Sequence, residues 1–201
     1  MSKIETRDLV LKVAQEFVQT RGFNAFSFRD VAERVGIKTA SIHYYFPTKA
    51  ELGRALVAQH REHVGAALAA IDAEEHDPRR KLARYVYVFK STLEVGNRMC
   101  LCGMLAADFS TLDQMIVDEL RRSFEDHEAW LTRVLEAGME SGAFTLSRSA
   151  KDEARLLISS LEGAMLIARS FEDINRFEEC VRSLLGRLIP VSGDQINQSH
   201  N

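Results

Sequence analysis

The sequence predicts an all-α protein of about nine helices, and three observations carry that reading. Apolar residues recur at three- and four-residue intervals along most of the chain, only three prolines interrupt its 201 residues, and the breaks fall at glycine or at polar residues able to cap a helix. With 46% hydrophobic residues there is enough apolar surface for a buried core.

The first helix is expected from about Glu5 to Arg21, with Val10, Val13, Phe17 and Val18 on one face and Gly22 to end it. Ser27 opens the second, with Asp30 three residues on and Phe28, Val31, Ala32 and Val35 at i, i+3, i+4 and i+7. Gly36 stops it after two turns, and a third short helix runs from about Thr39 to Tyr45. Pro47 breaks the chain, and Thr48 with Glu51 forms a second capping box that starts a long helix to about Ala73. Pro78 suits the first position of a helix over Arg79 to Val95.

Gly96 and Asn97 then interrupt, and a short helical segment from about Arg98 to Asp108 follows, with Asn97 placed to cap it. Ser110 with Asp113 is expected to open a long amphipathic helix to about Ser141, before a break at Gly142. Helices at about 150 to 171 and 174 to 189 close the chain, and the polar tail after Pro190 is expected to be disordered.

The net charge of -3 argues against a protein that is basic throughout, but its distribution is uneven. Residues 1–50 hold eight basic and five acidic side chains, a local excess of positive charge on an otherwise acidic chain. A small polyanion-binding module on an acidic body has this pattern. Charges stand where a signal peptide needs its apolar stretch, and no apolar run approaches a membrane span, so a soluble, cytoplasmic protein without membrane contact is expected. Three cysteines, two of them at 100 and 102, do not make a secreted disulfide framework.

The stretch from Phe28 to Lys49 carries the function. Two short helices joined by a tight glycine turn set the second at a steep angle to the first, the geometry that lets a recognition helix enter a DNA major groove. Ile42 and Phe46 can anchor its inner face, leaving Lys38, Thr39, Ala40, Ser41, His43 and Tyr44 outward, while Lys49 and the helix start after Pro47 would meet phosphate.

The run Gly36-Ile37-Lys38-Thr39-Ala40-Ser41-Ile42-His43-Tyr44-Tyr45-Phe46-Pro47-Thr48-Lys49-Ala50-Glu51-Leu52, preceded by Phe28-Arg29-Asp30-Val31-Ala32, resembles the DNA-binding signature of the TetR family of transcriptional regulators. The resemblance implies that Arg29, Lys38, Thr39, Ala40 and His43 lie near bases, and Ser41, Tyr44 and Lys49 near phosphates. It departs at two positions: the family often has tyrosine where His43 stands and histidine where Tyr45 stands. Tyr45 can equally be a packing residue, and Arg34 is a solvated charge. The resemblance further implies a homodimer paired through the last two helices, and a repressor released from a palindromic operator by a small-molecule effector. On this basis residues 1–50 form a helix-turn-helix domain, 51–190 an effector-binding and dimerisation domain, and 191–201 the tail.

In the body, Phe89, Met104, Phe124, His127, Trp130, Met165 and Arg169 are the candidates for an effector pocket, with Arg169 and His127 able to orient a polar or anionic group. Gly163 and Ala164 allow close helix approach, and Leu156, Leu161, Leu184, Leu185 and Leu188 supply apolar surface for the dimer. Cys100, in the first turn of its expected helix and near Arg98, would have its thiol pKa lowered, which makes a thiol-based sensor of redox state or electrophiles the alternative function. The surrounding segment Met99 to Asp108 resembles that of TetR-type repressors responding to such molecules. His60 and His63 lack the spacing of a zinc motif, no metal or cofactor is expected, and no phosphate-cradling loop or nucleophile elbow suggests an enzyme.

Overall fold

In the computed structural model, which describes residues 3–189, the chain folds into helices α1 (Lys3–Arg21), α2 (Phe28–Val35), α3 (Thr39–Tyr45), α4 (Lys49–Glu74), α5 (Pro78–Glu94), α6 (Leu101–Ala107), α7 (Gln114–Glu140), α8 (Ala150–Ser170) and α9 (Ile174–Gly186). No strand occurs among the described residues, and none of their helices is long and apolar enough to cross a membrane. The tail expected after Pro190 lies outside the described residues.

Local chemistry sets most of the boundaries. Both expected capping boxes are present, Ser27 with Asp30 and Thr48 with Glu51. Pro78 occupies the start of α5, and the Asp77 side chain accepts from the Arg79 amide. Gly36 ends α2 with φ 78, and its amide donates to the Ala32 and Glu33 carbonyls.

Two expected starts are displaced. Asn97 does not cap α6, because it sits at φ 56 in the left-handed region, and Cys100 takes the N-cap place instead. Ser110 does not open α7 either. It lies in a 3-10 turn, Phe109–Thr111, and Asp113 is the cap, its carboxylate accepting from the Met115 amide at 3.0 Å.

The core is two apolar clusters. One joins α1, α2, α3 and the first part of α4 through Leu11, Phe17, Val31, Ile42, Phe46 and Leu52, and recruits Leu101, Cys102 and Leu105 of α6 with Ile116 and Leu120 of α7. The other joins the rest of α4 to α5, the later part of α7, α8 and α9 through Leu82, Tyr85, Phe89, Trp130, Leu131, Leu157, Leu161 and Phe177. Cys100 and Met104 touch both. Leu161, Leu184 and Leu188, expected to face a partner, point instead into this second core. The outer side of α8 carries Gly163, Leu166, Ile167 and, just beyond its end, Phe171, with the three large residues 56%, 53% and 59% exposed.

Polar contacts close the seam between the clusters. The Met99 amide donates to Gln19 O at 3.1 Å and the Gln19 side chain donates to Met99 O at 3.1 Å. Arg169 of α8 donates to Gln19 O at 3.4 Å and Thr20 O at 2.6 Å, while Asn97 donates to Arg169 O. At the other end of α6, the Asp108 carboxylate accepts from the Phe23 amide at 2.8 Å, and Asn24 donates to Thr111 Oγ1 at 2.7 Å.

A Cβ on Gly36 would meet no atom within 4 Å, so the cost of replacing it is purely conformational. Gly36→Ala should therefore lower the unfolding free energy by about 1–2 kcal/mol, read as a shift in urea midpoint at unchanged slope.

Candidate nucleic-acid interface and internal cavity

The recognition surface is built by the burial of its inner face. Ile42 and Phe46 are fully enclosed, which turns Lys38, Ala40, His43 and Tyr44 outward with Thr39 and Ser41 part-exposed beside them. Tyr44 is 68% exposed, an uncommon position for a large aromatic side chain without an external surface to meet. Arg29 at the start of α2 is exposed beside this helix pair. The His43 ring packs edge-on against Phe28, and its Nδ1 lies 3.3 Å from Pro47 O. Tyr45 packs against the first core cluster, and Arg34 is exposed.

Lys49 is placed differently from expectation. Its ammonium turns into the head, donates to the Phe26 carbonyl, and lies 4.8 Å and 4.4 Å from the ring centres of Phe23 and Phe26. Burial there lowers its pKa, against opposing attraction from Asp108 and Asp30. The two phenylalanines lie more than twenty residues upstream, so no local pattern around Lys49 shows this.

In the body, a cavity of about 30 Å³, room for one water, is lined by His60 and Val64 of α4, Val88, Phe89 and Thr92 of α5, Cys100, His127 of α7 and Met165 of α8. It brings together Phe89, His127 and Met165 from the expected pocket set. It does not take in the others. Trp130 stacks on Tyr85 and donates to Asp72 at 2.9 Å, Phe124 packs with the first cluster, Met104 bridges the clusters, and Arg169 is committed to α1. His60, which the sequence offered only as an unsuited metal ligand, is also a member of this wall.

The cavity's polar groups are neutral. The Tyr85 hydroxyl and His127 Nδ1 are 2.8 Å apart. Burial pushes both His60 and His127 down to about 4, with His60 depressed further by His127 and His63. Cys100 also departs from expectation: a hydrogen bond with Cys102 and burial push its thiol well up, and Arg98 is paired with Glu16 at 3.3 Å. Its proton is held, so the thiolate that an electrophile requires is disfavoured. The cysteines are free thiols, and among the described residues no three His, Cys, Asp or Glu side chains gather as a metal site.

Comparison with known proteins then gives a consistent result. The model of bacterial regulatory proteins of the tetR family matches residues 10–56, and that of the tetracyclin repressor-like C-terminal domain matches residues 78–184. The HTH-type transcriptional repressor DhaR of Mycobacterium sp. (strain GP1) is 24% identical over 95% of this chain and 96% of its own. The repressor NemR of Escherichia coli is 23% identical over 90% and 94%. A transcriptional regulator of the TetR family from Agrobacterium tumefaciens superposes with a TM-score of 0.90 at 32% identity, over 94% of this chain and all of that one.

The two neutral histidines make stability depend on pH. Their folded pKa values lie below the unfolded one, so their contribution is complete above about pH 6.5 and is lost as pH falls towards 4. Each is worth up to about 3 kcal/mol. Urea unfolding should show stability dropping across this window, and a His60→Asn/His127→Asn double variant should flatten the drop.

Proposed function

The chain belongs to the tetR family of bacterial regulatory proteins and is a DNA-binding transcriptional regulator, not an enzyme; from that premise we propose a homodimeric repressor whose hold on a near-palindromic operator is released by a small molecule entering the cavity between α4, α5, α7 and α8. The outward polar face of α3 is the observation that supports the DNA contact most directly. Small side chains at Ala40 and Ser41 let the helix backbone approach base edges, while Lys38, which the resemblance sets near bases, stands exposed at the N-cap position of α3 and is assigned here to phosphate. A carbonyl can only accept, so the Pro47 contact places the proton of a neutral His43 ring on Nδ1 and leaves Nε2 as an acceptor. Such an acceptor reads the amino group of cytosine or adenine in the major groove.

The exposed stripe of Gly163, Leu166, Ile167 and Phe171 on α8 suits pairing across a two-fold axis, the glycine allowing close approach and the large residues supplying area. Transmission follows from shared parts. The helix α4 starts just after α3 and passes through the cavity wall at His60 and Val64, so spreading the wall tilts the shaft on which the head sits. A ligand that prefers the spread state a hundredfold weakens operator binding by up to about 2.7 kcal/mol per occupied site.

Selection from random duplexes should return a near-palindrome. Lys38→Ala should weaken all sequences about equally and reduce the salt slope by about one. His43→Ala should relax specificity at one position at a cost of about 1–3 kcal/mol. Lys49→Ala, by contrast, should lower head stability. Failure to recover a palindrome would remove the operator reading.

The dimer has its own test. Ile167→Glu should give a monomer in sedimentation at micromolar concentration while leaving helix content unchanged; a variant that stays dimeric would place the interface elsewhere.

A further inference from the structure

We propose that this cavity takes an amine: a protonated, mainly apolar small molecule whose ammonium group is received by Glu162 of α8. The assignment rests on the cavity being the effector site and adds its chemistry. Glu162 lies three residues before Met165 on α8, and Met165 is part of the cavity wall. Its Oε2 is buried and has no hydrogen-bond partner. The carboxyl lies over Gly103 of α6 so closely that a Cβ there would stand 2.3 Å from Oε2 and 3.0 Å from Cδ. A helix interior normally disfavours glycine, and here its missing side chain is what leaves room for the acid.

The neighbours identify what is missing. Cys100, which lines the cavity, is among the groups that act electrostatically on the Glu162 carboxyl, so the acid stands just behind the cavity's lining at Cys100 and Met165. The other groups acting on this site are Cys102 on α6 and Tyr85 on α5, with His127 of α7 hydrogen-bonded to Tyr85 and His60 of α4 across the cavity. The thiols and the phenol become anions if they lose a proton, and both imidazoles are neutral at physiological pH. Arg169, the cation one helical stretch further on α8, is spent on the carbonyls of α1. Glu153, the other glutamate with a buried orphan oxygen, is by contrast paired with Arg148 and Arg187. Glu162 has no cation partner among the described residues, so burial keeps it as the neutral acid, and a cation able to displace its proton is the complement the site can take.

The walls suit the rest of such a ligand. Phe89 presents an aromatic ring, and Val64, Val88 and Met165 are apolar. One water's volume admits an ammonium head but no hydrocarbon body, so entry must part α4 and α8, the motion that release of DNA needs.

Burial holds the Glu162 carboxyl up to about 10, so it carries its proton at neutral pH. Binding then exchanges charge: the carboxylic acid releases its proton to solvent, and the carboxylate pairs with the incoming ammonium. One proton leaves for each amine bound, and affinity rises about tenfold per pH unit while acid and amine both remain protonated when free.

The full-length protein is titrated calorimetrically with phenethylamine and with phenethyl alcohol at pH 6.5, 7.5 and 8.5, in two buffers of different ionisation heat. Expected are a preference for the amine of at least tenfold at pH 8.5, growing with pH, and about one proton released per protomer. Glu162→Gln should lose the preference yet bind the alcohol as before. Gly103→Ala, which favours the helix and displaces the carboxyl, should reduce the preference with the acid still present. Equal binding of the two probes, amine uptake without proton release, a preference surviving in Glu162→Gln, or uptake of neither would overturn the amine assignment. Amine uptake with proton release but no loss of operator binding would leave the site standing and overturn its role as effector site.

Discussion

A helix leaves its last carbonyls without donors from its own backbone, and in α1 those carbonyls are met from the far side of the molecule. Gln19 O and Thr20 O accept from the Met99 amide and the Arg169 guanidinium, which belong to the entry of α6 and to α8. The docking of the DNA-binding head on the body depends on this requirement. Apolar packing alone is non-directional and would allow the head to slide, whereas a guanidinium on two carbonyls fixes an orientation.

The same constraint explains why α6, only seven residues long, has so much influence. Its apolar residues Leu101, Cys102 and Leu105 belong to the head's core, its entry at Cys100 belongs to the cavity wall, and Asp108 just past its end holds the Phe23 amide. Such a short helix gains little from its own hydrogen bonds. It is held by what surrounds it, and a change on one side is felt on the other.

Much of the fold was legible in the sequence because the deciding interactions are local. Capping boxes span three residues, and the glycine turn and the inner face of α3 are read within one short stretch. Where Ser110 and Asp113 imitated a capping box, Asp113 supplied the cap itself, since either residue type can do so at that spacing. The side chains of Lys49 and Arg169 go to partners far along the chain, and no periodicity contains that information. In α8 the difficulty was different: the helix is apolar on two sides, and composition does not say which side the protomer keeps. Glu162 did leave a signal, an acid between Ile158 and Met165 on the apolar face, and its meaning emerges only with Gly103 opposite.

The separation of α3 into an enclosed side and an outward side has an evolutionary consequence. Ile42 and Phe46 hold the helix in place, so exchanges at Lys38 or Ala40 disturb little of the interior and draw little on the small margin by which a protein stays folded. Operator preference can therefore drift by single substitutions. The acid at 162 has no such freedom, because a side chain at 103 would have to disappear before the acid could be accommodated. Lineages that diverge from this protein should accordingly change the sequences they bind more readily than the chemistry they sense.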